Sequence, residues 1–150
     1  MQQRCRIMSI GGLMSREDLC SEAEIVELVH QFYGRIREDA ELGPIFNAHV
    51  HDWDRHLATM VSFWSSLLIG AGTYDGTPMP KHVALPGLRA ELFERWLDIF
   101  ALTADSLDNK QLAERAKEYA RRIARSLWFG YQFHHAPEAT VQDLGQASKT

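Results

Sequence analysis

The sequence predicts an all-α domain. Every long apolar pattern repeats with the period of a helix, and no run alternates apolar and polar residues as a half-buried strand would. The size supports one core: the chain has 150 residues, 45% of them apolar and 24% charged. No stretch reaches the roughly 18 uninterrupted apolar residues of a membrane span. The longest, Met60 to Gly70, is broken by Ser62, Ser65 and Ser66. A net charge of −4 argues against general nucleic-acid or anionic-membrane binding.

Residues 1–20 read as a disordered extension. Their apolar part, Ile7 to Met14, is interrupted by Ser9, Gly11 and Gly12. Charges follow it where a secretory signal would carry a small-residue cleavage site. Cys5 and Cys20 both fall in this extension, too few and too peripheral for a disulfide scaffold, so the expected compartment is the reducing cytoplasm. The folded domain is expected over 21–133. Its first helix starts at Ser21, with Glu24 completing a capping box, and carries Ile25, Leu28, Val29, Phe32 and Ile36 on one face with Tyr33 at the edge. Leu42-Gly43-Pro44-Ile45-Phe46 reads as a turn and a short helical or extended piece. A second helix covers Asp52 to Ile69, with Trp53, Leu57, Met60, Trp64 and Leu67 in register. At about 100° per residue, His56 borders that buried stripe.

Residues 70–80 hold three glycines and two prolines, which forbids a regular helix. This long loop leads into one helical turn, Lys81 to Leu85, stopped by Pro86. Long loops in small domains commonly serve function. Two further helices follow, Ala90 to Thr103 and Lys110 to about Phe129. The tail, 134–150, turns polar and is expected to fray from Ala136.

Charge is segregated. Residues 22–108 carry six basic and fourteen acidic side chains, whereas 109–129 carry six basic and two acidic. The basic segment is either a patch or a solvated helix face with charges paired one turn apart. The histidines exclude several metal sites. Glu27 and His30 form one Glu-x-x-His unit, but a di-iron bundle needs two and further inward carboxylates. His49, His51 and His56 lack the cysteine or carboxylate that would complete a zinc tetrahedron. Two histidines remain in special settings: His56 beside an apolar face, and His82 on a turn bracketed by Gly and Pro. Together they suggest imidazoles on opposite walls of an apolar pocket, the arrangement of haem iron. The chain has no Cys-x-x-Cys-His, so any haem would be held without thioether bonds.

A set of motifs carries a family resemblance. It comprises Phe32-Tyr33, Leu42-Gly43-Pro44-Ile45-Phe46, Trp53 with His56, Phe63-Trp64, Tyr74-x-Gly76-x-Pro78 with His82 and Leu85-Pro86, and Phe93-x-x-Trp96-Leu97. From Glu22 to Leu127 the chain resembles the group III truncated haemoglobins of bacteria. The resemblance implies a truncated globin fold, a two-over-two helical sandwich enclosing haem b. It implies His82 as the iron ligand, and Tyr33, His56 and Trp96 as distal ligand-stabilising residues. It places Phe46 on the haem face, Met60 and Trp64 along the distal floor, and Leu85 on the proximal side. Lys81 is either a partner for a haem propionate or plain solvated charge.

The reading implied is an oxygen-binding haem protein taking O₂ or another diatomic, NO or CO, for storage, transport or sensing. The alternative is a redox enzyme, an NO dioxygenase or peroxidase-like protein. The chain carries no flavin or nicotinamide domain, so that enzyme would need a separate reductase. The weak charge and the lack of an obvious exposed apolar patch lead us to expect a monomer.

Overall fold

The computed structural model describes residues 19–72, 85 and 87–145. The extension up to residue 18, the Tyr74 to Pro80 loop, Lys81, His82, Pro86 and residues 146–150 lie outside the described residues. Among those described, the elements are helices: α1 (Glu22–Glu38), α2 (Leu42–His49), α3 (Trp53–Ile69), α4 (Ala90–Asp105) and α5 (Lys110–His135). The helix α1 packs on α3, α4 runs against α5, and the two pairs meet where α1 crosses α4 and α3 meets α5. This is the two-over-two sandwich, all-α as the periodicity predicts.

Local chemistry explains the helix ends. The Ser21 hydroxyl accepts from the Glu24 amide at 3.2 Å, and the Glu24 carboxylate accepts from the Ser21 amide at 2.9 Å. Two of the orphan donors of α1 are thereby satisfied. Asp52 caps α3 by accepting from the Arg55 amide, and Gly70 closes it in the left-handed conformation at φ 67°. Asn109 does two things at once. Its carbonyl oxygen accepts from the Leu112 amide to cap α5, and its amide donates to the Leu19 carbonyl and the Glu24 carboxylate. The starts of α5 and α1 are thus tied through one side chain.

Three boundaries differ from the sequence expectation. Leu19, assigned to the extension, is buried at 8% exposure in the core, so the packed chain begins by that residue. The piece after Leu42 is a true helix. Pro44 falls within its first turn, where no amide is needed, and the Gly43 amide donates to the Asp39 carbonyl at 2.9 Å. Gly43 is required there, because a Cβ would lie 2.6 Å from the Arg37 carbonyl oxygen. Lastly, α5 runs to His135 instead of ending near Phe129. Tyr131 is buried, stacks on Trp128, and its hydroxyl oxygen accepts from the Leu88 amide, which rewards another turn and a half of helix. Beyond it, fraying gives way to contacts. Gln132 exchanges hydrogen bonds with the Gln142 backbone, Asp143 pairs with Arg125, and the Gly145 amide donates to Glu94.

The basic segment resolves into the paired reading. Lys117 contacts Asp105 and Glu114, Arg115 and Arg122 share Glu118, and Arg125 holds Asp143. The Glu27 and His30 side chains are exposed, and Glu27 accepts from Gln31.

One polar tie spans the sandwich. The Asp39 carboxylate, just past α1, accepts from Arg95 Nε through both oxygens at 2.8 Å and from the Glu41 and Leu42 amides that open α2. The Arg95 guanidinium and these amides hold its pKa down at about 2. A carboxylate depressed in the folded state adds stability that is complete above the unfolded pKa, about 3.9, and is lost as pH falls through 2. The urea midpoint of Asp39→Asn should therefore lie below that of the parent at pH 5 and converge on it near pH 2. A gap that is the same at both pH values would contradict the assignment.

Candidate functional site

The helices do not close on one another completely. Between them lies an open cleft, about 920 Å³ when the solvent space at its mouth is counted. Tyr33 comes from α1, Leu42 and Phe46 from α2, and His56, Met60, Phe63 and Trp64 from α3. Leu85 and Leu88 come from the connection, Leu92, Phe93 and Trp96 from α4, and Ile123, Ala124 and Leu127 from α5. Of the residues singled out from sequence, Tyr33, Phe46, His56, Met60, Trp64, Leu85 and Trp96 share this one cleft. His82 lies outside the described residues.

The back wall is aromatic. Phe32, 1% exposed, meets Tyr33, Trp96 and Phe100 edge-on at centroid distances of 4.8, 5.2 and 5.1 Å. Phe100 lies stacked between Trp64 at 5.1 Å and Trp96 at 5.6 Å. Edge-to-face and offset-stacked rings each add roughly 0.5–1.5 kcal/mol beyond area burial. Three of the rings facing the cleft therefore rest on two that face only the core. The connection after the undescribed segment is fixed as well, since the Leu88 amide donates to the Tyr131 hydroxyl at 3.0 Å.

Polarity is confined to a few groups. Tyr33 is 5% exposed and sits edge-on to His56 at 5.0 Å and to Phe46 at 5.9 Å. Among the described residues neither the Tyr33 hydroxyl nor the Trp96 indole N–H makes a hydrogen bond. Burial pushes the Tyr33 phenol far above its ordinary pKa, because phenolate cannot be solvated there. It remains a protonated donor. The Trp96 indole can only donate. The cleft is thus an apolar slot with two uncommitted donors and a neighbouring imidazole. It suits a flat, largely apolar cofactor bearing a small polar ligand.

A family model described as bacterial-like globin matches residues 17–128. The chain belongs to the bacterial-like globin family. It is 34% identical over 108 residues to a group 3 truncated haemoglobin of Campylobacter jejuni, an alignment covering 69% of this chain and 85% of that protein. The crystal structure of a group III truncated haemoglobin from Campylobacter jejuni matches this globin with a TM-score of 0.71 at 29% identity. That match covers 82% of this chain and 98% of the other. The resemblance read from the motifs, and the truncated globin fold it implied, are both borne out. Globin membership implies haem as the cofactor and a diatomic gas as its ligand, and the cleft described above fits such a group. No described helix is long and apolar enough to cross a membrane.

The sequence reading missed part of the lining: Leu42, Phe63, Leu88, Leu92, Phe93, Ile123, Ala124 and Leu127. Their apolar stripes are legible, but periodicity does not distinguish a side chain that meets another helix from one that meets a slot between helices.

The alkaline limb of stability should expose Tyr33. A phenol whose pKa is raised on folding contributes stability that is complete below the unfolded value near 10 and is lost as pH rises above it. The loss is roughly 1.4 kcal/mol per pH unit for one proton. Tyr33→Phe should remove that slope in urea titrations between pH 9 and 11. An unchanged slope would place the titrating group elsewhere.

Proposed function

We propose that this globin holds haem b without covalent attachment in the Tyr33–Trp96 cleft and reversibly binds O₂ or another diatomic, NO or CO. One observation carries the reading. Two donors, the buried Tyr33 and the half-buried Trp96, line one apolar cleft with no hydrogen bond among the described residues. In so apolar a cleft, a polar ligand that accepts from both is favoured over an occupant that leaves them unsatisfied.

Haem, when bound, supplies an iron with a coordination position open to a small ligand. His82 is assigned to the iron through its match to the family motif; its second ring nitrogen would donate to an acceptor that fixes the tautomer. Phe46 would pack on the cofactor face, Met60 and Trp64 would floor the distal side, and Leu85 would line the proximal side. Tyr33 and Trp96 donate to the partial negative charge of a polar diatomic, in a low-dielectric setting where such bonds are strong. His56, against the Tyr33 ring, is the third polar group there. The same donors polarise an O–O bond, so the redox reading, NO dioxygenase or peroxidase-like, stays as the second one, with a separate reductase. We place the protein in the cytoplasm, from two cysteines too few for a disulfide scaffold, and as a monomer, from its modest charge.

Two measurements test this. The purified protein should show a Soret band that His82→Ala loses; full haem content in that variant would overturn the iron ligand. Tyr33→Phe and Trp96→Phe should each speed O₂ release by about 5- to 30-fold, the worth of one hydrogen bond of roughly 1–2 kcal/mol. Unchanged release in both would end the donor-pair reading. In the same preparation, NO consumption by the oxygenated protein, repeated after re-reduction by cell extract, would shift the assignment to the redox class.

A further inference from the structure

The Tyr33 hydroxyl has no hydrogen bond among the described residues, so its position is set by what its ring touches. Phe32 touches it from the same helix and is fixed in the core. Two other neighbours, His56 and Phe46, line the cleft itself. The remaining one, Trp53, does not line the cleft. It meets Tyr33 at 6.0 Å and His56 edge-on at 5.4 Å, so one indole backs two of the three polar side chains of the site.

Trp53 is the first residue of α3 and is only half-buried, so apolar packing alone does not seat it. Two polar contacts do. Its indole N–H donates to Asn47 Oδ1 on α2 at 3.2 Å, and the Arg37 guanidinium from the end of α1 lies 4.4 Å from its ring centroid. Asn47 also donates from Nδ2 to the Arg37 carbonyl at 3.5 Å. Arg37, Asn47 and Trp53 thus close a small network over the ends of three helices. A guanidinium over an exposed indole contributes about as much as one net hydrogen bond. The network orients one ring while adding little to global stability.

We infer that Trp53 is a positioning residue for the distal site: held by Asn47 and Arg37, it fixes the Tyr33 and His56 rings and hence the aim of the Tyr33 hydroxyl. The inference rests on the proposed role of Tyr33 as a ligand donor. Its structural half, ring orientation, stands apart from that role.

The test uses the full chain with haem, with and without CO, and variants Trp53→Leu, Trp53→Phe, Arg37→Met and Arg37→Lys. The Tyr33 ring resonances of the CO form, assigned by their loss in Tyr33→Phe, should shift and flip faster in Trp53→Leu and Arg37→Met. Arg37→Lys, which keeps the cation, should restore them, with Trp53→Phe intermediate. O₂ release should rise by about tenfold in Trp53→Leu, yet Trp53→Leu combined with Tyr33→Phe should release no faster than Tyr33→Phe alone. Unchanged Tyr33 resonances in Trp53→Leu, or effects that multiply in the double variant, would overturn the inference. If Tyr33→Phe leaves release unchanged while the resonances move, the donor role falls and the positioning of the ring stands.

Discussion

The edge of Phe32 against its neighbours is the contact on which the rest of this molecule depends. Phe32 is fully enclosed, and Tyr33, Trp96 and Phe100 pack on it at about 5 Å from two different helices. That contact makes the crossing of α1 on α4. It also sets the depth at which the helices stop approaching, because rings this size hold backbones apart. The cleft is the volume left in front of that wall. Truncating Phe32 would open space in a core packed like a crystal and release two donor side chains at once.

Polar ties finish what the rings begin, and they sit at helix ends, where backbone groups lack partners. Asp39 holds Arg95 while capping the first amides of α2, so the helix that carries Phe46 is referenced to the helix that carries Trp96. Asn109 does the same at the other end, joining α5 to α1. At the third corner Arg37, Asn47 and Trp53 join α1, α2 and α3. Each tie is weak in free energy, as exposed pairs are. Their common effect is geometric: they remove the small sliding motions that a two-layer helical sandwich otherwise permits.

How much of this was legible follows from the range of each interaction. The Ser21–Glu24 box acts over three residues, and its reading gave the start of α1 correctly. The stripes of α1, α3 and α4 are local periodicities and emerged in register. The length of α5 was not legible, because what sustains it past Phe129 is the Tyr131 hydroxyl meeting the Leu88 amide, 43 residues away. The helical state of Leu42 to His49 was left open, because its cap comes from Asp39, itself anchored by Arg95 56 residues on. In the site, Tyr33 and Trp96 emerged from motif resemblance, not from periodicity. A helical stripe shows that a residue faces inward without showing what it meets.

A donor left without an acceptor inside an apolar site is a local defect by the rules that govern the rest of the fold. Elsewhere among the described residues the buried Ser65 Oγ and Trp128 Nε1 also lack a partner, but neither residue lines the cleft. Thr103, fully buried, donates to the Ile99 carbonyl and accepts from Arg35, and Asn109 uses both ends of its amide. What sets Tyr33 and Trp96 apart is that they are a pair on one cavity, on helices that Phe32 locks together. At Tyr33, phenylalanine would keep the ring packing and remove the polar group from the apolar cleft. That both carry a donor, and that burial keeps the Tyr33 proton in place, argues that the cleft is shaped for something polar arriving from outside the chain.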